Sequence, residues 1–129
     1  MKALLAELCK LPGVTARRQN AGKVLDVRED GSKRMFVGAP AGAGDIVGMA
    51  WPGIYFEVET KSDVGTQTPE QKRWQAMVER RGGLYVLAPR TPGKKLREGA
   101  RLCAETVSLM LEKHRMKTLE RLLMGRITG

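Results

Sequence analysis

The chain has 129 residues, 42% of them hydrophobic, a formal net charge of +9, two cysteines and one histidine. That length builds one core rather than two, and so few sulfur and imidazole ligands exclude a zinc finger or a cysteine-rich metal cluster. The charge points to a polyanionic partner, nucleic acid first, or else to no more than a well-solvated surface.

Residues 2–11 read as a short helix, with Leu4, Leu8 and Leu11 at helical spacing and Pro12-Gly13 as its stop. Glu7 falls on that apolar face, where a carboxylate needs an exposed edge or a cation. The opening run is too short to span a membrane, Glu7 interrupts it as a signal peptide, and no later segment reaches transmembrane length. Cys9 and Cys103 are well separated and fit buried thiols in a reducing compartment, so a cytoplasmic protein is expected. Val24–Val27 and Arg34–Val37 read as short strands joined by a hairpin at Asp30-Gly31.

The glycine-rich run VGAPAGAGDIVGM, residues 37–49, comes next. It lacks the Lys-Ser or Lys-Thr of a phosphate-binding Walker loop, and its glycines miss the dinucleotide spacing by one residue, so no nucleotide cofactor is expected. The apolar residues Ile46–Met49 follow at once, which reads as a tight turn delivering Asp45 to the start of a strand. After a Trp51-Pro52-Gly53 turn, residues 54–61 alternate. Ile54, Phe56, Val58 and Thr60 point to the core, while Tyr55, Glu57, Glu59 and Lys61 form a charged, half-buried face.

Thr68 suits a helix N-cap, Pro69 the first helical position and Gln71 a capping box. That helix turns Trp74, Met77 and Val78 inward and stops at Gly82-Gly83, before a compact buried strand at Leu84–Ala88. The order of elements predicts an α/β domain. From Lys94 to Met124 a stripe of Leu96, Ala100, Cys103, Val107 and Met110 predicts helix, about 45 Å long if continuous. It is either two helices or an arm with an outside partner, and a contact between two copies is one use for it.

Asp45 at a strand start, with Glu59 and Lys61 side by side on the next strand, suits hydrolysis of a phosphodiester. Such a reaction needs a cation to neutralise the phosphate and acidify the attacking water. Magnesium takes oxygen ligands, here Asp45, Glu59 and the Thr60 carbonyl, while Lys61 orients the water or stabilises developing negative charge. A Glu-x-Lys pair alone is a weak signal, since Glu70-Gln71-Lys72 is a second copy. On a helix, however, side chains two apart diverge by about 200° and cannot share one site. An ordinary solvated, charge-paired strand face is the competing reading.

As an ordered set, GDIVG, EVETKSDVGTQTPEQKRW and GGLYVLA resemble the VRR-NUC branch of the PD-(D/E)XK nucleases. The resemblance covers residues 1–88, with RRQNAG at 17–22 similar to a stretch of phage and bacterial members. It implies a restriction-endonuclease-like αβββαβ core with a mixed sheet flanked by helices, here residues 1–93, and a helical extension over 94–129. It implies Asp45, Glu59, Lys61 and Gln71 as catalytic residues, with Gln71 binding the lysine or a phosphate or merely closing the capping box. Asp45, Glu59 and Thr60 would hold magnesium, with manganese able to substitute, and Glu7 would reach it through water or form a structural ion pair instead. Arg17, Arg18, Lys33, Arg34, Lys72 and Arg73 are the candidate phosphate contacts. Trp51 and Tyr55 could stack on bases, with core packing the simpler expectation, and His114 is expected on the surface.

One departure from the family pattern is Glu57, which offers a competing Glu57-Val58-Glu59 pair with Lys61 as bystander. The interval from Lys61 to Thr68 favours the Lys61 register. The implied activity is magnesium-dependent, structure-selective cleavage of branched DNA, four-way junctions first, by a homodimer. A flap or nicking nuclease of a phage replication complex, and a nucleic-acid-binding module without chemistry, are the alternatives.

Overall fold

A computed structural model describes the backbone of residues 2–19, 23–37, 39–61, 66–89 and 96–128; the side chains of 23–26, 34–37, 61, 89, 96 and 126–128 lie outside the description. The element order is α1 (Lys2–Cys9), β1 (Val14–Arg18), β2 (Lys23–Val27), β3 (Lys33–Val37), β4 (Ile46–Ala50), β5 (Ile54–Lys61), α2 (Pro69–Arg80), β6 (Leu84–Pro89) and α3 (Leu96–Thr128). A four-stranded mixed sheet runs β1-β4-β5-β6, and β2-β3 form a separate hairpin. β1, β4 and β5 are antiparallel neighbours, whereas β6 joins β5 in parallel. A parallel neighbour needs a crossover connection, which α2 supplies.

The sheet's two faces have different covers. On one, Ile46, Ala50, Ile54, Phe56, Val58, Leu84, Val86 and Ala88 form a single core with Leu4 and Leu8 of α1 and Ala100, Ala104, Val107 and Leu111 of α3. α1 and α3 pack directly against each other there. The other face carries α2, whose Val78 is buried and whose Trp74 reaches β5. An α/β architecture with helices on both faces of a mixed sheet is what the alternation of periods required.

Several expectations change in detail. β1 was not expected as a strand: only Val14 and Ala16 of VTARR pack toward the core, so its sequence carries little apolar signal. α1 stops at Cys9 rather than Leu11, and Glu7 sits beside Lys10 at 3.0 Å. Cys9 is exposed and Cys103 half-buried, so the expectation of two buried thiols fails; burial pushes the Cys103 thiol up from its ordinary value. The tail is one helix of 33 residues, about 50 Å long at 1.5 Å per residue. Its first half completes the core, with Ala100 and Val107 of the expected stripe buried and Cys103 and Met110 packed beside them. His114 is tied down, its Nε2 lying 2.7 Å from the Gly82 carbonyl oxygen.

The charged face of β5 is not solvated. Glu57 is 0% and Glu59 9% exposed, because α2 and the glycine-rich turn close over them. Trp51 and Tyr55 depart the other way: at 61% and 38% exposure neither belongs to the core.

Candidate active site

Asp45 directly precedes β4. Its Oδ2 accepts from the Thr60 N–H at 2.9 Å and from Thr60 Oγ1 at 2.7 Å, while its own carbonyl accepts the Gln19 N–H at 2.8 Å. Those bonds fix the carboxylate against the last turn of β5's pleat. Among the described residues its Oδ1 accepts nothing from the protein. A strand residue's N–H and C=O face the same edge, so the Thr60 carbonyl lies on Asp45's side of β5.

Glu59 comes one residue earlier on β5. Its Oε1 accepts from Gln71 Nε2 at 2.9 Å, one of more than one contact it makes. Gln71 is held in turn by the capping box that the sequence predicts: Gln71 N–H donates to Thr68 Oγ1 at 3.2 Å and Thr68 N–H donates to Gln71 Oε1 at 3.0 Å. The same amide therefore starts α2 with its oxygen and orients Glu59 with its nitrogen. Lys61 ends β5 opposite Pro89, and its side chain lies outside the described residues.

Glu57 is spoken for by the fold. Its Oε1 accepts from the Gly44 N–H at 2.9 Å and from Gln19 Nε2 at 3.1 Å, and its Oε2 from Trp74 Nε1 at 2.5 Å. A carboxylate removed from water needs such donors. These three tie the end of β1, the glycine turn and α2 to the middle of β5. Neither Gln19 nor Trp74 stood out in the sequence as part of the site. The signal was there in Glu57 itself, a charge in the middle of a strand whose neighbours had to supply donors.

The glycine run does what close approach demands. Gly42 has φ +90, and a Cβ there would lie 2.3 Å from the Glu70 carbonyl oxygen. Only glycine lets the turn touch the first turn of α2. At Gly44 a Cβ would meet the Val58 oxygen at 3.0 Å, so the turn also presses on β5. Tyr85, 2% exposed, seals this contact by donating its hydroxyl to the Gly42 carbonyl at 3.2 Å. Burial, then the charges of Glu59, Glu57 and Asp45, push the Tyr85 phenol up from its ordinary value. One phenol thus feels all three carboxylates, which places them in one neighbourhood.

Other candidates lie apart. Glu7 is paired with Lys10 at 3.0 Å. Arg17 and Arg18 are exposed on β1, Lys33 on the hairpin, and Lys72 and Arg73 on α2, with Arg73 3.5 Å from Glu70. The Arg34 side chain lies outside the described residues. Among the described residues no group of three or more His, Cys, Asp and Glu side chains could hold a metal. The set expected here is smaller: two carboxylates and a main-chain oxygen. It is made of oxygen alone, with one Asp45 oxygen accepting no donor among the described residues, and that chemistry fits a hard divalent cation. Comparison with known protein families, curated proteins and solved structures yields no match.

Proposed function

We propose that this chain is a magnesium-dependent DNA endonuclease of the VRR-NUC type, cutting branched DNA as a dimer. The observation that carries the reading is the meeting of Asp45, Glu59 and the capped start of α2 at one end of β4 and β5. The chain order of α1, β1, β4, β5, α2 and β6, with the β2-β3 hairpin inserted, is compatible with the αβββαβ core of the PD-(D/E)XK nucleases.

Asp45, Glu59 and the Thr60 carbonyl would hold the cation. When bound, magnesium supplies charge for the scissile phosphate and a more acidic water. The protein's own contribution is positional. Thr60 fixes one oxygen of Asp45 and leaves the other available. Gln71 orients the Glu59 carboxylate, and Lys61 serves the attacking water or the charge that develops on the phosphate. Glu57 spends both oxygens on Gly44, Gln19 and Trp74, which supports the Lys61 register over the Glu57-Val58-Glu59 pair. The exposed cations on β1, the hairpin and α2 would supply salt-sensitive affinity for the DNA backbone.

A junction cut symmetrically needs two sites. The outer surface of α3 offers the second copy an apolar row, Leu109 and Met116 at 63% and 61% exposure and Leu123 at 59%, each seven residues from the next.

The decisive experiment is cleavage of a labelled panel with magnesium: four-way junction, flap, splayed arm, linear duplex and single strand. Paired symmetrical cuts confined to the junction, lost in Lys61→Ala, are expected. Cuts in flaps or duplex would keep the site and replace the substrate. Magnesium-dependent binding with no cleavage of any substrate would leave a binding module.

A further inference from the structure

Three large apolar side chains stand partly or largely in the open at the end of β4 and β5 opposite Asp45 and Glu59. Met49 is 57%, Trp51 61% and Tyr55 38% exposed. Met49 and Tyr55 are direct partners across β4 and β5, and Trp51 sits on the turn that joins those strands. Met49 and Tyr55 are neighbours on one face, and Trp51 stands at the same end of the two strands, beside α3.

The turn that carries the exposed indole is anchored. The Trp51 main-chain N–H donates to the Gly13 carbonyl at 2.9 Å, and Arg115 Nε of α3 donates to the Trp51 main-chain carbonyl at 2.8 Å. The Arg115 guanidinium lies 5.7 Å from the centre of the indole ring. A cation at that distance is drawn to an aromatic face and limits the ring's freedom. Arg17 is opposite Val47 in β1, on the same side of the sheet and between the patch and Asp45.

An anchored aromatic bordered by arginines, on a chain of net charge +9, has the chemistry of a base-stacking surface. Every nucleobase has a π-face, and the flanking cations serve the phosphates. A duplex hides its base faces from such a surface, whereas an unpaired nucleotide offers one. We propose that Trp51, with Met49 and Tyr55 beside it, is a stacking platform for an unpaired base of a nucleic-acid strand.

Asp45 and Trp51 are six residues apart along β4 and its turn, about 20 Å at 3.4 Å per residue. Stacked nucleotides advance about 3.4 Å each, so an unpaired base on Trp51 would sit about six nucleotides from the scissile bond. That link to cleavage rests on the nuclease reading; binding by the platform does not.

Binding is measured by fluorescence anisotropy in EDTA, so no chemistry is required. The probes are a labelled 20-nucleotide single strand, a blunt hairpin duplex of the same length, and a 20-residue abasic strand. Trp51→Ala is expected to weaken single-strand binding about 5- to 150-fold, the usual worth of a stacked base, and to leave the duplex unchanged. Trp51→Phe should restore part of the loss. The abasic strand should bind the wild type as weakly as the normal strand binds Trp51→Ala, and lose nothing further against that variant.

Equal losses on single strand and duplex, or no loss on either, would overturn the platform. So would a Trp51→Ala change in sedimentation mass with DNA affinity intact, since the patch would then be a protein contact. Trp51-dependent binding without any cleavage would sink the nuclease reading and keep the platform. Cleavage with Trp51-independent binding would do the reverse.

Discussion

Glu57 accepts three hydrogen bonds while fully removed from water, and the Gly44 N–H and Trp74 Nε1 lose this acceptor if the carboxylate goes, while Gln19 Nε2 keeps the Gly44 carbonyl. Glu57→Gln keeps the shape, but its amide NH2 must turn toward N–H donors at one end. The expected loss is about 1–3 kcal/mol in urea denaturation, with cleavage slowed as the Gly44–Asp45 turn loosens. A variant as stable as the wild type would remove Glu57 from this role. The two tyrosines give a pH prediction. Tyr55 is pushed from 10.0 to about 12, by burial first and the Glu57 charge second, and Tyr85 is pushed up by burial and the three acids. The fold therefore favours neutral phenols. Their stabilisation is complete below about pH 10 and falls as pH rises through 10 to 12 and beyond, where the unfolded chain releases protons more readily. Phenolate absorbance near 295 nm should appear late and together with loss of the far-ultraviolet signal. A phenolate step near pH 10 in folded protein would count against the burial of Tyr85. At this scale the sequence displayed the acids but not their donors. Asp45 and Glu59 stand out by strand position, whereas Gln19 and Trp74 act only through distant pairing that no local pattern encodes.

α2 is the element that turns a charged strand into an enclosed site. Its start was legible because Thr68, Pro69 and Gln71 are local chemistry: a cap, a fixed φ and a reciprocal amide, all within four residues. β5 was legible in register but misread in environment. Alternation tells which residues share a face, and only α2's docking decides whether that face meets water. β1 was missed for the opposite reason, since an edge strand with two inward residues needs its partner β4 to exist as a strand at all. The glycine turn connects these elements, and Gly42→Ala tests the connection. The substitution meets both an unfavourable φ and the Glu70 carbonyl, and should cost about 1–3 kcal/mol. Because α2's first turn must shift, Gln71 should lose Glu59, so cleavage falls further than the change in stability accounts for. Unchanged cleavage in a folded Gly42→Ala protein would separate the turn from catalysis.

At the scale of the molecule, α3 has two halves with different work. Ala100, Ala104, Val107 and Leu111 fill the core, and an outward row that starts at Leu109 and continues through Met116 and Leu123 is left to water. Met116→Glu with Leu123→Glu should convert a dimer to a monomer in sedimentation equilibrium. Both sites are exposed, so the far-ultraviolet spectrum should not change. A wild-type protein already of one-chain mass would refute the contact. The sequence left two helices or one long arm open over this segment; it did not reveal which half was spoken for, because an apolar stripe reads the same against its own core or against a partner. The packing of α1 on α3 also sets a timetable. Leu4 and Leu8 are made early, and the helix residues that cover them, Ala100 to Leu111, come some 100 residues later. At about 5–20 residues per second, the apolar side of β4 and β5, finished at Lys61, waits roughly 3–10 s for its cover from α3 as far as Leu111. The growing chain is then a client for whatever shields nascent proteins at the ribosome, and the fold closes only once α3 has emerged.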